Sequence, residues 1–399
     1  MRNIELFIQL VRLGIGHPVG RISCDIEWKE VQTLAEQQGL SAIVLDGLNS
    51  LPITAYSLPL EMKLEWIGEV LQNYEGRYSE YKKAIGSLAG FYNQHGFKMM
   101  VLKGYACSMN WPKPEHRPCG DIDIWQFGEQ KEADKVLSTT DFTDYTNRES
   151  LREKSQEDLN QNQSRIREFE NKTSTNTNRT DNTNKFEIDN SHHHHSVFEW
   201  GEFTVENHYD FINVHHHRSS AELESIFKEL GMNDTCTVDV CGEKVYLPSP
   251  NLHALFLLKH SMSDFAAFFI TLRQVLDWGF HVQKYHDEID WDWLKEVMEM
   301  YHMTEFFNTI NAICVEDLGF ESSIFPYLQF NPMLKEKVLL DIMEPKFPRE
   351  EPHGLVKRMI FKFRRWKGNS WKHEMCYNES LWSAFWSGVW NHVTKPASI

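Results

Sequence analysis

The sequence predicts an α+β chain in which a strand-bearing middle is held between two helical regions. Three observations carry this. Apolar residues recur three and four apart up to about residue 95. Short strand-like runs broken by Gly and Pro occupy 96–245, and strongly apolar helical runs fill 246–399. These boundaries define an N-terminal helical region (1–95), a central segment (96–245) with a low-complexity insertion at 144–191, and a C-terminal helical domain (246–399).

The N-terminal stretch "MRNIELFIQLVRLGIG" has helical spacing, carries Arg12 inside it and shows no cleavage site. "EWKEVQTLAEQQGLSAIVLDGLNSL" and "EMKLEWIGEVLQNYEGRYSEYKKAIGSLAGFYNQHG" continue the pattern. At Gly96 the texture changes. "FKMMVL" reads as a first strand, "KGYACSMN" as a tight turn into a short helix, "WPKPEHRPC" as loop, "GDIDIWQ" as a second strand and "EQKEADKVLSTT" as a helix. Residues 144–191 are rich in Asn, Thr, Ser and charge and bury too little apolar surface to repay ordering; a solvated helix is expected around Glu149–Glu170. "FEWGEFTVENHYDF" alternates about Gly201 and reads as a hairpin, with Thr204, Glu206 and His208 on one face. After "VYLPSPN" the chain reads as helix to its end.

Composition narrows the function. Hydrophobic residues make up 41% of the 399, enough for a sizeable core, and the net charge of -16 opposes a general nucleic-acid binder. The cysteines (24, 107, 119, 236, 241, 314, 376) have no repeated pair spacing and read as reduced thiols of a cytoplasmic protein. No apolar run reaches the ~18–20 residues of a membrane span. The histidine runs 192–195 and 215–217 lack the spacing of a structural zinc site and suggest adventitious metal affinity.

Asp121 and Asp123 stand one residue apart in an apolar run. In a strand they share a face, with Ile122 and Ile124 on the other. Two carboxylates this close repel and raise each other's pKa unless a cation lies between them. The pair is therefore costly as bare structure and reads as half of a metal site. A strand ending in Lys103-Gly104 and a distant strand carrying Glu206 complete a set of three carboxylates, suited to two Mg²⁺ ions.

The "GDIDIW" strand, the upstream "LKG" turn, the loop residue Arg117 and the later "VENH" resemble the DNA polymerase β-type nucleotidyltransferase superfamily, in particular a poorly characterised bacterial branch. The resemblance spans roughly Gly96–His208 as motif and extends weakly to "LAEQQGL" and "LRQVLDW" on either side. It implies a compact palm with a small mixed sheet at 96–245. It also implies transfer of a nucleoside monophosphate from an NTP, taken as ATP, to an acceptor hydroxyl. Asp121 and Asp123 match the metal-binding pair, and Glu206 matches the third carboxylate, metal ligand or base. Gly104 falls at the phosphate-cradling turn, with Lys103 and Arg117 as nucleotide-binding cations. The usual turn is Gly-Ser; here Tyr105 follows Gly104. Glu206 stands where Asp is commoner.

The acceptor expected from the acidic surface is a small hydroxylated molecule or a protein side chain. The alternative is a catalytically inactive relative, serving as a nucleotide-binding or protein-interaction module. Arg117 has Glu115 as an ordinary acid partner, and Arg273 and Asp277 are spaced to pair along a helix. His208 reads as a packed or hydrogen-bonded side chain. The stretch 355–375 is basic and amphipathic and offers contact with an anionic surface. The default expectation is that the aromatics following it pack on the helical domain while its basic residues face water.

Overall fold

A computed structural model describes residues 2–20, 27–52, 58–140, 186–192, 194–214, 217–348, 350–382 and 386. Most of the 144–191 insertion, with the helix expected around Glu149–Glu170, lies outside them. The architecture is α+β. Six strands form one mixed sheet in the order β3-β4-β2-β1-β6-β5. They are β1 (Met100–Val101), β2 (Ile122–Trp125), β3 (His195–Trp200), β4 (Phe203–His208), β5 (Thr235–Val240) and β6 (Glu243–Pro248). β2 runs antiparallel to β1 and parallel to β4, and β1 runs parallel to β6.

The expected β3–β4 hairpin forms around Gly201, at φ 63°, with Trp200 paired to Phe203. A two-residue loop of this kind needs a positive φ, which Gly accepts without a Cβ clash. The register then follows: Val197 faces Glu206, Ser196 faces Asn207, and His195 faces His208. A buried polar cluster pins this hairpin to the helix Gln130–Thr139. Asn207 donates to Asp134 Oδ1 (2.8 Å) and Gln126 Oε1 (2.9 Å), and Ser196 donates to Asp134 Oδ2 (2.7 Å). A one-residue slip would turn every one of these groups to the wrong face.

Two features were missed in the sequence. β5 and β6 form a second hairpin across Cys241-Gly242, both at positive φ, and the helix Arg218–Asn233 precedes it. β6 also carries the strand-bearing segment to Pro248, slightly past residue 245.

The helix from Leu60 to Gln94 is continuous but contains a π-helical stretch, Leu71–Gly76. Its last part, Arg77–Gln94, packs on one face of the sheet, where Tyr81, Ile85 and Phe91 meet Ile122, Ile124 and Val205 in a buried cluster. The larger cluster joins the two ends of the chain: Phe7, Leu10 and Trp66 share a core with Phe256, Leu276, Trp278 and Ile342. Gln38 ties the ends together, donating to Ile342 O (2.9 Å) and accepting from Leu272 N (2.7 Å). Among the described residues six cysteines are free thiols, as expected, and no helix is long and apolar enough to cross a membrane.

The basic helix Leu355–Gly368 departs from expectation. Leu355, Val356, Met359, Ile360 and Phe363 are exposed, as are Trp382 and Trp386 further on. The aromatics of the stretch after this helix were expected to pack inward; Trp382 and Trp386 do not, and 383–385 and 387–399 lie outside the described residues. Arg358, Lys362 and Arg365 turn toward Glu351, and Arg365 lies over Phe268.

Candidate active site

β1 ends beside β2, where Leu102 N donates to Asp123 O (3.0 Å), so Lys103 emerges next to Asp123. Lys103 Nζ is 2.8 Å from Asp123 Oδ1. The parallel pairing of β2 with β4 puts Glu206 directly across from Asp123 and His208 across from Trp125. His208 Nε2 lies 3.1 Å from Asp123 Oδ1 and 3.5 Å from Glu206 Oε2. Asp121 stands exposed just before β2, while Asp123 is buried. One ligand atom each from Asp123, Glu206 and His208 lie within 4.8 Å of one another.

The turn at Gly104 is fixed from behind. Gly104 has φ 52°, and a Cβ there would come within 2.1 Å of the Tyr81 hydroxyl. That hydroxyl donates to Asp121 O at 2.8 Å, so one tyrosine braces both the turn and the start of β2. Tyr105 is buried in the cluster behind the sheet.

A cleft of about 390 Å³ opens between this edge and the helices Pro250–Ala267 and Leu272–Tyr285. Lys103, Gly104, Asp121 and Asp123 line one wall. The other carries Asp264 and Arg273; Asp264 Oδ2 accepts from Gln274 (3.0 Å) and lies 3.3 Å from His260. Arg117 also lines the cleft but is buried, with Nε 2.8 Å from Asp277 Oδ1 and Nη2 2.9 Å from Oδ2. Trp111 donates to the same carboxylate at 2.8 Å. Arg117 thus pairs with Asp277, not with Glu115, and its fork is not turned to the open cleft. The reason is geometric: the loop before it is strapped down by His116, between Asp46 (2.6 Å) and Glu75 (3.3 Å), which aims Arg117 at the helix behind.

The charges are unequal. Although Asp121 is exposed, partial desolvation at the cleft wall and then the nearby charges of Asp123 and Glu206 raise its carboxyl above the ordinary value. Burial also pushes on Asp123, but Lys103 and His208 outweigh it and hold that carboxyl well below the usual range. Glu206 is likewise lowered: burial opposes ionisation, and His208 more than offsets it. His208 is raised, because contact with Asp123 and Glu206 exceeds the penalty of burial. Mutual repulsion thus shows on one aspartate of the pair, since Lys103 serves the other.

A family model described as "Uncharacterised nucleotidyltransferase" matches residues 25–319, well over half of the 399-residue chain. The chain belongs to that family. The same comparisons match no curated protein and no solved structure. The match runs from just before the helix Trp28–Gln38, past the sheet, to Gly319.

The structure sets Lys103 and Glu206 beside Asp123, with Asp121 and Gly104 at the same edge. His208 joins them as a hydrogen-bonded partner of two carboxylates. Sequence reasoning missed Tyr81, Asp264 and the Asp277 partner of Arg117, which come from helices distant in the chain. It also assigned the run 192–195 no place in the site, yet His195 Nδ1 lies 3.9 Å from Glu206 Oε2. The register of the β3–β4 hairpin, legible about Gly201, carried that signal.

Proposed function

We propose that the chain is a polymerase β-type nucleotidyltransferase that moves a nucleoside monophosphate from an NTP, taken as ATP, to an acceptor hydroxyl. The observation that carries this reading is the setting of Asp123 directly opposite Glu206 on adjacent strands, with Asp121 just before β2 and both aspartates lining one wall of the cleft. The donor set fits Mg²⁺: three carboxylates supply hard oxygen ligands, and the raised Asp121 marks a place where a cation would relieve repulsion. Asp121, Asp123 and Glu206 would hold two ions. When bound, these would neutralise the triphosphate and the departing diphosphate.

The chain's own residues do the rest. Lys103 meets phosphate oxygens from the β1 turn, where Gly104 leaves the backbone open. Glu206, kept ionised by His208, accepts the proton of the attacking hydroxyl. The acceptor lies toward Asp264, which favours a small hydroxylated molecule with a cationic group over a nucleic-acid end; a protein side chain fits the same wall. Arg117 holds the cleft wall through Asp277 instead of touching phosphate. The reaction then rests on positioning and charge neutralisation.

The exposed apolar stripe of Leu355–Gly368, flanked by Lys357, Arg364 and Lys367, supports contact with an anionic surface as part of this reading.

The test is thermal unfolding with each of the four NTPs, with and without Mg²⁺, on the wild type and on Asp121→Asn. A ligand at a hundredfold excess over Kd stabilises by about 2.7 kcal/mol. A Mg²⁺-dependent shift that vanishes in Asp121→Asn supports the two-metal nucleotide site, and release of diphosphate from that NTP in an acceptor screen then separates an active enzyme from an inactive nucleotide-binding relative. No shift with any NTP moves the reading to an inactive interaction module.

A further inference from the structure

The β3–β4 register sets two histidines, His195 and His208, directly opposite each other at the end of the hairpin. Opposed residues on one face of an antiparallel pair have Cβ atoms about 4.5–5.5 Å apart. His194 joins them: its ring centroid is 4.4 Å from that of His195 and 5.4 Å from that of His208. One ring nitrogen from each of the three lies within 4.8 Å of the others. Nδ1 of His194 and Nδ1 of His195 are buried and have no hydrogen-bond partner among the described residues. Buried polar atoms are nearly always satisfied, so two orphaned imidazole nitrogens on adjacent residues of this cluster call for a ligand. The nearest carboxylate is Glu206, with Oε2 3.9 Å from His195 Nδ1 and 3.5 Å from His208 Nε2.

We propose that His194, His195 and His208 form a site for a divalent transition-metal ion, with Glu206 as the carboxylate that completes it; on binding, His208 gives up the contact of its Nε2 with Asp123 Oδ1, and the ion replaces its charge beside Glu206. Imidazole donors suit Zn²⁺, Co²⁺ and similar ions and suit Mg²⁺ poorly. Ligand atoms on one ion with bonds of about 2.0–2.1 Å lie at most about 4.1 Å apart; the three nitrogens, all within 4.8 Å of one another, reach that by side-chain rotation. The ion lies beside the cleft carboxylates without being one of the Mg²⁺ ions proposed there. It clamps the end of the hairpin and so fixes Glu206 opposite Asp123. The site does not rest on nucleotidyl transfer, although it borders the same residues.

Co²⁺ is the probe, added to the full-length wild type and followed by equilibrium dialysis and visible absorption. One Co²⁺ per chain is expected, retained in excess Mg²⁺ and displaced by Zn²⁺. His194→Gln and His195→Gln should each weaken Co²⁺ binding by about tenfold or more. A double variant of the other run, His215→Gln with His216→Gln, should leave it within about twofold. X-ray absorption on the Zn²⁺-loaded wild type should show at least two imidazole ligands, a readout that survives if a variant fails to fold. Displacement by Mg²⁺, fewer than two imidazoles, or unchanged affinity in both folded single variants would overturn the site. Because Mg²⁺–NTP stabilisation is measured separately, loss of one result leaves the other standing.

Discussion

Lys103 Nζ lies 2.8 Å from Asp123 Oδ1, so a carboxylate proposed to hold a metal already has a cation of the chain's own at its side. Asp123 is buried and Lys103 nearly so. Removing one member of such a pair strands the other, at a cost of about 3–5 kcal/mol. Asp123→Asn is therefore expected to lower unfolding stability by roughly that amount in the absence of metal. Asp121→Asn relieves repulsion at an exposed position and should stay within about 0.5 kcal/mol of wild type or above it. Urea unfolding of both variants without divalent ions checks this. Equal losses would show that Lys103 does not depend on Asp123.

Gly104 and Tyr81 supply a second prediction. Gly104→Ala puts a methyl 2.1 Å from the Tyr81 hydroxyl at a backbone angle of φ 52°. Strain at a positive φ and overpacking each cost about 1–3 kcal/mol. Tyr81→Phe removes the clashing oxygen but also the bond to Asp121 O. A double-mutant cycle should give a favourable coupling of about 0.5–3 kcal/mol, because the second change relieves part of the first. Strict additivity would rule out the contact.

Glu224 gives a prediction in pH. Its carboxylate accepts from Phe211 N (3.0 Å) and Ile212 N (3.2 Å), and burial pushes it up to about 7 despite those bonds and Lys228. The folded pKa lies above the unfolded one, so the native state holds the extra proton between them. Stability from this group is fully present below about pH 4.5 and is lost as pH rises through about 7. One proton is worth ~1.4 kcal/mol per pH unit. Wild type minus Glu224→Gln stability should fall across that window and be flat above it. A difference that rises with pH would reverse the assignment.

What the sequence made legible was local. Asp121 and Asp123 declare themselves by alternation, and Glu206 with His208 by the hairpin about Gly201; both depend on spacings of two residues. Lys103 was readable because it closes a strand. The partner of Arg117 was not legible because Asp277 is distant in the chain, and no short pattern links a strapped proline loop to a helix face. The β5–β6 hairpin was overlooked although Cys241-Gly242 stands between alternating runs, since β5 is an edge strand with much of its surface in solvent. The apolar stripe of Leu355–Gly368 was recognised, but its direction was not. Periodicity gives a face, and tertiary packing decides which way the face turns.

That outward stripe leads to a last prediction. Leu355, Val356, Met359, Ile360 and Phe363 stand exposed along one side of a helix with no buried residue, bordered by exposed Lys357, Arg364 and Lys367. In a chain of net charge -16, this local basic border is complementary to an anionic lipid surface. Each large apolar side chain that enters the acyl boundary contributes about 1.5–3 kcal/mol, and every 1.4 kcal/mol is tenfold in affinity. The full chain is expected to co-sediment with phosphatidylglycerol vesicles and not with phosphatidylcholine vesicles, and to release as salt shortens the Debye length. Phe363→Glu should weaken binding by about tenfold or more. Lys367→Gln should weaken it less and flatten the salt dependence. A wild type that ignores anionic vesicles at low salt would leave the stripe to a protein partner or a second copy of the chain, which sedimentation velocity without lipid would then reveal.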